Sequence, residues 1–139
     1  IDNFSLGRAS INSLIPKNTS AMKATYEVLP SLKGKFLSNS YRVPTSIVSS
    51  ADITLKVKKN INYEKIFDVL NKVNKKILRL NNDPLISTDF IKCSNSSVFD
   101  LRFLKTMKGY LKFILWYDNE WGYSSRVIDL INYIEKKSG

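Results

Sequence analysis

Residues 51–59 alternate without a break, with Ile53, Leu55 and Val57 on one side and Thr54, Lys56 and Lys58 on the other. That is the period of a half-buried strand. Residues 63–80 change period: Ile66, Phe67, Leu70, Val73, Ile77 and Leu78 recur at helical spacing, while Lys65, Lys72, Lys75 and Lys76 would face water. One amphipathic helix over 63–80 is expected, with Asn62 as its cap. Asn81, Asn82, Asp83 and Pro84 turn the chain. Residues 85–91, 97–104 and 110–117 then read as three further strands, the last two joined through 106–109. A final helix is expected after a cap at Ser124 or Ser125. Its apolar stripe is Val127, Ile128, Leu130, Ile131 and Ile134, and Lys136 and Lys137 sit at the negative end of its dipole.

The N-terminal third is more broken. Residues 1–7 read as a polar loop ending at Gly7, and 8–15 as an extended piece cut off by Pro16. Asn18, Thr19 or Ser20 would cap a helix running to about Leu29, because Pro30 cannot continue it. A loop over 31–40 contains Gly34, and 41–47 is β-like with an interruption at Pro44. Strands outnumber helices and mostly follow one another. The expected class is therefore α+β, a mixed, largely antiparallel sheet with helices packed on one face, in a single domain over 1–139.

Composition adds limits. The 139 residues are 43% hydrophobic and 24% charged, the range of an ordinary globular domain with a real core. The longest apolar run, 113–117, is far too short for a bilayer, and no signal-like segment opens the chain. A lone Cys93 builds no disulfide framework, which fits a reducing compartment. Net charge is +10, from 22 basic and 12 acidic residues. Nucleic-acid binding is one reading of that excess. The other is compositional drift, since Lys outnumbers Arg by 17 to 5 and nucleic-acid readers favour arginine's bidentate fork. Drift is preferred, so neither nucleic acid nor a membrane is an expected partner. The chain opens on Ile1 rather than Met, and is expected to be a piece of something longer.

The densest segment is WYDNEWGYS, residues 116–124, where two Trp and two Tyr flank a turn of Asp118, Asn119 and Glu120, and Gly122 permits a sharp change of direction. It resembles the C-terminal signature of the glyceraldehyde-3-phosphate dehydrogenase family. So do SLIPKNTSAMKA (13–24), LPSLKGKF (29–36), YRVPTSIVSSADITLKVKK (41–59), DPLISTDF (83–90) and SSVFD (96–100), in the family's order and near its spacing. The resemblance implies the C-terminal part of that family's catalytic domain, without the N-terminal NAD-binding domain. It implies NAD as cofactor, a phosphorylated aldehyde and inorganic phosphate as small-molecule partners, a homo-oligomer (a tetramer when intact), and a cytoplasmic, glycolytic role.

Site residues follow by position. A helix N-terminus offers unpaired N–H groups and a partial positive charge to an anion. By resemblance, Thr19 binds the substrate phosphate, and Ser20 stands where the family usually has Gly, placing a side chain where backbone approaches the anion. Taken alone, Thr19 could simply cap the helix. Arg42, in an otherwise apolar strand, needs an anionic partner; Glu27 or Asp52 could supply it, while the resemblance points to the same phosphate. Asn119 matches the residue that hydrogen-bonds the nicotinamide carboxamide, a task an amide suits because it both donates and accepts. Tyr123 matches the aromatic beside that ring. Glu120 reads as holding the loop, and Arg8 matches an arginine reaching toward a neighbouring subunit's cofactor.

Cys93 is not the expected nucleophile, because it falls between matched blocks where the family has an ordinary surface residue. The family's reactive Cys and its His base lie upstream, and the sequence has no His. No catalytic residue and no metal ligand is therefore expected in this chain, and alone it is expected to be inactive. The implied chemistry forms a hemithioacetal on the upstream thiol, passes hydride to NAD and releases the acyl group to phosphate. Erythrose-4-phosphate dehydrogenase remains an alternative, as does a non-catalytic basic binding module derived from the family.

Overall fold

The computed structural model describes residues 8, 11–58 and 61–138. The opening loop over 1–7, residues 9 and 10 of the expected extended piece, and Lys59 at the end of the alternating strand lie outside them. The chain divides into two compact units, Ile1–Ser46 and Ile47–Gly139.

The first unit is a two-stranded ribbon and a short helix. β1 (Ile15–Lys17) pairs antiparallel with β2 (Ser40–Arg42), in the register Ile15 to Arg42, Pro16 to Tyr41 and Lys17 to Ser40. Pro16, expected to end an extended piece, instead sits inside β1. A two-stranded ribbon consists only of edges, where a missing N–H is tolerated. Residues 11 and 12 form a turn, so the extended piece begins only at Ile15. α1 (Ala21–Val28) stops before Pro30 as expected, and the Leu29 N–H bonds the Thr25 carbonyl at 2.7 Å. Tyr26 meets Phe36 edge-on at 5.2 Å, and β2 ends at Arg42, before Pro44.

The second unit is built on a four-stranded sheet in the order β3-β6-β5-β4. Its strands are β3 (Ser49–Lys56), β4 (Leu78–Asn81), β5 (Ser97–Met107) and β6 (Tyr110–Tyr117). β3–β6 and β5–β6 are antiparallel and β4–β5 is parallel, which makes the sheet mixed and largely antiparallel. Neighbouring residues of a strand face opposite ways, and β5 uses both sides. Phe99 stacks on Phe113 at 4.8 Å in a core with Leu104, Leu111 and Ile66, which α2 (Tyr63–Lys72) lays across that face. Val98 points the other way, into a smaller core with Val48, Phe90 and Trp116. The Asn62 cap is present, its side-chain oxygen accepting from the Lys65 N–H at 3.1 Å.

Three expected elements differ. The helix over 63–80 ends at Lys72, and residues 78–81 are β4. Asn74 breaks the run: its side-chain oxygen accepts the Lys76 N–H at 2.9 Å, and its carbonyl accepts those of Ile77 and Leu78. A side chain that offers backbone groups a local alternative competes with the helix. The periodicity looked continuous because Leu70 of the helix and Leu78 and Leu80 of the strand serve the same core. Residues 85–91 form no strand. Asp89 accepts the Ile86 N–H at 2.8 Å, a 3-10 turn runs over Ser87–Phe90, and Phe90 is driven into the smaller core, stacked on Trp116 at 5.7 Å. The last helix, α3 (Asn119–Ser138), begins five residues before the earlier of the two expected caps. Gly122 therefore makes no change of direction.

Candidate functional site

The phosphate candidates all fall in the first unit. Thr19 is half-buried just before α1, and its Oγ accepts the Ala21 N–H at 3.1 Å. Ser20 occupies the cap position itself, exposed, with no capping hydrogen bond from its side chain. Arg42 is exposed, and its side chain makes no hydrogen bond or ion pair among the described residues. The register sets Arg42 opposite Ile15, at one end of the ladder, while Thr19 follows Lys17, at the other. Thr19 lies four residues beyond Ile15, so the register by itself does not bring the two side chains together.

The nicotinamide candidates fall in the second unit, where the earlier start of α3 changes their relation. Asn119 is the first residue of the helix, so Tyr123, four residues on, lies one turn above it on the same face. Tyr123 is 73% exposed. Asn119 is exposed as well, and neither side chain makes a hydrogen bond among the described residues. Ser124 and Ser125 cap nothing. Their hydroxyls donate back to the Glu120 and Trp121 carbonyls at 2.8 Å.

The cap is Asp118, 1% exposed. One carboxylate oxygen accepts the N–H groups of Glu120 at 3.1 Å and Trp121 at 2.9 Å; the other accepts the Lys92 N–H at 2.8 Å. The role assigned to Glu120 thus belongs to Asp118, and the Glu120 carboxylate makes no hydrogen bond among the described residues. An Asp ahead of an apolar-periodic run is itself a cap signal. It was obscured by the aromatic residues around it. Gly122 matters through contact instead, because a Cβ there would meet the Asn95 carbonyl oxygen at 3.0 Å.

A second buried carboxylate leaves no signal in the sequence pattern. Asp100 is 0% exposed and accepts from Arg102 Nε at 2.8 Å, Arg102 Nη2 at 2.6 Å and Trp116 Nε1 at 2.9 Å. Burial alone would raise its pKa. The hydrogen bonds from Arg102 and Trp116 and the guanidinium charge outweigh that and hold it below the usual carboxylate value. Asp100 and Arg102 share a strand face at i and i+2, but only pairing with β6 brings Trp116 to them. The network braces the strand that leads into the Asp118 turn.

Cys93 is half-buried beside the smaller core, its Sγ 3.6 Å from the Asn95 side-chain oxygen. Among the described residues no group of three or more His, Cys, Asp or Glu could hold a metal ion. Arg8 is exposed. The apolar stripe of α3 faces solvent within its unit, and its buried residue is Gly122.

These features define an α+β domain in which a buried carboxylate fixes the first turn of the terminal helix and leaves an amide and a phenol exposed above it. Comparison with known proteins makes the class specific. The model of the glyceraldehyde 3-phosphate dehydrogenase C-terminal domain matches residues 1–119, and the chain belongs to that family. Similar proteins include the glyceraldehyde-3-phosphate dehydrogenases of Sclerotinia sclerotiorum, 42% identical, and Atriplex nummularia, 43% identical, each over 94% of this chain. The cytosolic enzyme of Mesembryanthemum crystallinum is 43% identical over the same share. The chain spans 40%, 38% and 40% of the lengths of these three relatives.

Proposed function

We propose that the chain is the C-terminal part of the catalytic domain of a phosphorylating, NAD-dependent glyceraldehyde-3-phosphate dehydrogenase. In this reading it grips the substrate phosphate and orients the nicotinamide, while the thiol and base that break bonds lie outside residues 1–139. The carrying observation is the exposed face of α3, where Asn119 and Tyr123 stand one turn apart with no partner among the described residues. NAD, when bound, supplies the hydride acceptor. Asn119 presents a donor and an acceptor to its carboxamide, and Tyr123 offers a phenol ring beside it.

Arg42 and Thr19 grip the phosphate. The Arg42 side chain has no internal partner among the described residues, and a guanidinium suits bidentate phosphate recognition. The Thr19 hydroxyl keeps acceptor and donor capacity beyond its bond to Ala21. Ser20 adds a second hydroxyl at the same helix start. The names of the relatives favour the three-carbon substrate over erythrose 4-phosphate. The intact enzyme works as a tetramer, and in the cytoplasm, the compartment that the names of the cytosolic relatives favour. No helix among the described residues is long and apolar enough to cross a membrane.

The test is Arg42→Ala in the intact enzyme, assayed with glyceraldehyde 3-phosphate and with unphosphorylated glyceraldehyde. A charge-assisted contact is worth about 1.5–3 kcal/mol, so kcat/KM for the phosphorylated substrate should fall about tenfold or more. The unphosphorylated substrate should be unaffected. Equal losses on both substrates, or none, would remove Arg42 from the site.

A further inference from the structure

We infer that Asp118 is a positioning residue for the nicotinamide end of the cofactor, acting through Asn119. The inference rests on the reading above that Asn119 and Tyr123 face that ring. A helix cap needs one acceptor oxygen for the orphan N–H groups of the first turn, and one Asp118 oxygen already serves Glu120 and Trp121. The second oxygen is not needed for capping. It reaches 26 residues back along the chain to the Lys92 N–H.

Both ends of that tether are anchored in one place. Lys92 holds a φ of 62°, a conformation uncommon for a residue with a side chain, and follows the fully buried Phe90 by two positions. Trp116 precedes Asp118 by two positions and stacks on Phe90 at 5.7 Å. Asn119 is therefore the first residue beyond a point held by three hydrogen bonds from two chain segments, over a packed aromatic pair. A turn later the bare Cα of Gly122 lies against the Asn95 carbonyl, where a Cβ would come to 3.0 Å, so the helix is restrained on a second side. An amide that must match both the donor and the acceptor of a carboxamide gains from such restraint, because a rotated helix start would offer one group correctly and misplace the other.

The tether can be removed while the cap is kept. Asp118→Asn retains one acceptor for Glu120 and Trp121 but sets an NH2 against the Lys92 N–H. Asp118→Ser, an equally good cap residue, is too short to reach Lys92. The Ser variant carries the test if the Asn variant does not fold. Both are compared with Asn119→Ala in the intact dehydrogenase. Three quantities are read: NAD Kd by tryptophan quenching, the share of deuterium delivered to each face of nicotinamide C4 from a C1-deuterated aldehyde, and amide exchange at Lys92 in the cofactor-free protein.

The expected result is faster exchange at Lys92, an NAD Kd raised about tenfold, and deuterium on both ring faces, as in Asn119→Ala, with KM for the aldehyde unchanged. If Asn119→Ala shifts Kd and facial purity while the Asp118 variants lose only thermal stability, Asp118 is merely a cap and the inference fails. If Asn119→Ala shifts neither quantity, the reading of Asn119 fails first, and the role given to Asp118 fails with it.

Discussion

Replacing Asp100 by Asn leaves the shape of a fully buried side chain almost unchanged and removes its charge. Its two oxygens receive four donors: Arg102 N at 3.2 Å and Nε at 2.8 Å on one, Arg102 Nη2 at 2.6 Å and Trp116 Nε1 at 2.9 Å on the other. Whichever way the new amide turns, its NH2 opposes two N–H groups that must then go without an acceptor. Breaking a buried pair from one side costs about 3–5 kcal/mol. Arg102 is a quarter exposed and regains some hydration, so the expected loss is about 2–4 kcal/mol. Urea unfolding followed by tryptophan fluorescence measures it. A cycle with Arg102→Met isolates the coupling, because the double variant no longer buries an unpaired guanidinium and should be less destabilised than the sum of the singles by over about 1 kcal/mol. An Asp100→Asn variant within about 0.5 kcal/mol of the parent would refute the claim that this carboxylate is buried and charged; that is the scatter of ordinary surface substitutions.

The remaining predictions concern acid and the last helix. Asp100 has a folded pKa below its unfolded value of about 3.9, so the native state binds fewer protons there and its contribution is complete above about pH 5 and lost as pH falls through the folded pKa. The stability gap between parent and Asp100→Asn should therefore narrow on acidification in a series of urea midpoints; a widening gap would reverse the argument. Gly122→Ala improves intrinsic helix propensity by about 1 kcal/mol, yet its methyl would press on a backbone carbonyl. The clash should win, with a net loss of about 1 kcal/mol in the same unfolding assay, and a stabilised variant would show that the Asn95 segment yields easily.

Much of the second unit was legible in local pattern. Ile53 and Val57 of the alternating strand do face the larger core, Asn62 does cap α2, and the antiparallel pairing of 97–107 with 110–117 follows from two strands joined by a tight turn. The residues offered as site candidates were legible too, but through family motifs rather than periodicity, because an exposed Arg42 or Asn119 leaves no trace in a hydrophobic pattern.

Other features depended on partners far along the chain. The helix ends at Lys72 because residues 78–81 find a parallel neighbour in β5, and two periods that feed one core look alike in a single sequence. Phe90 turns inward because Trp116 is there to stack on. Asp118 caps α3 locally, but its second oxygen is tied to a residue 26 positions away, which chain order does not reveal. Chain order states which side chains can cap, stack or pair. Which of them do so is decided only when distant backbone arrives within hydrogen-bonding range.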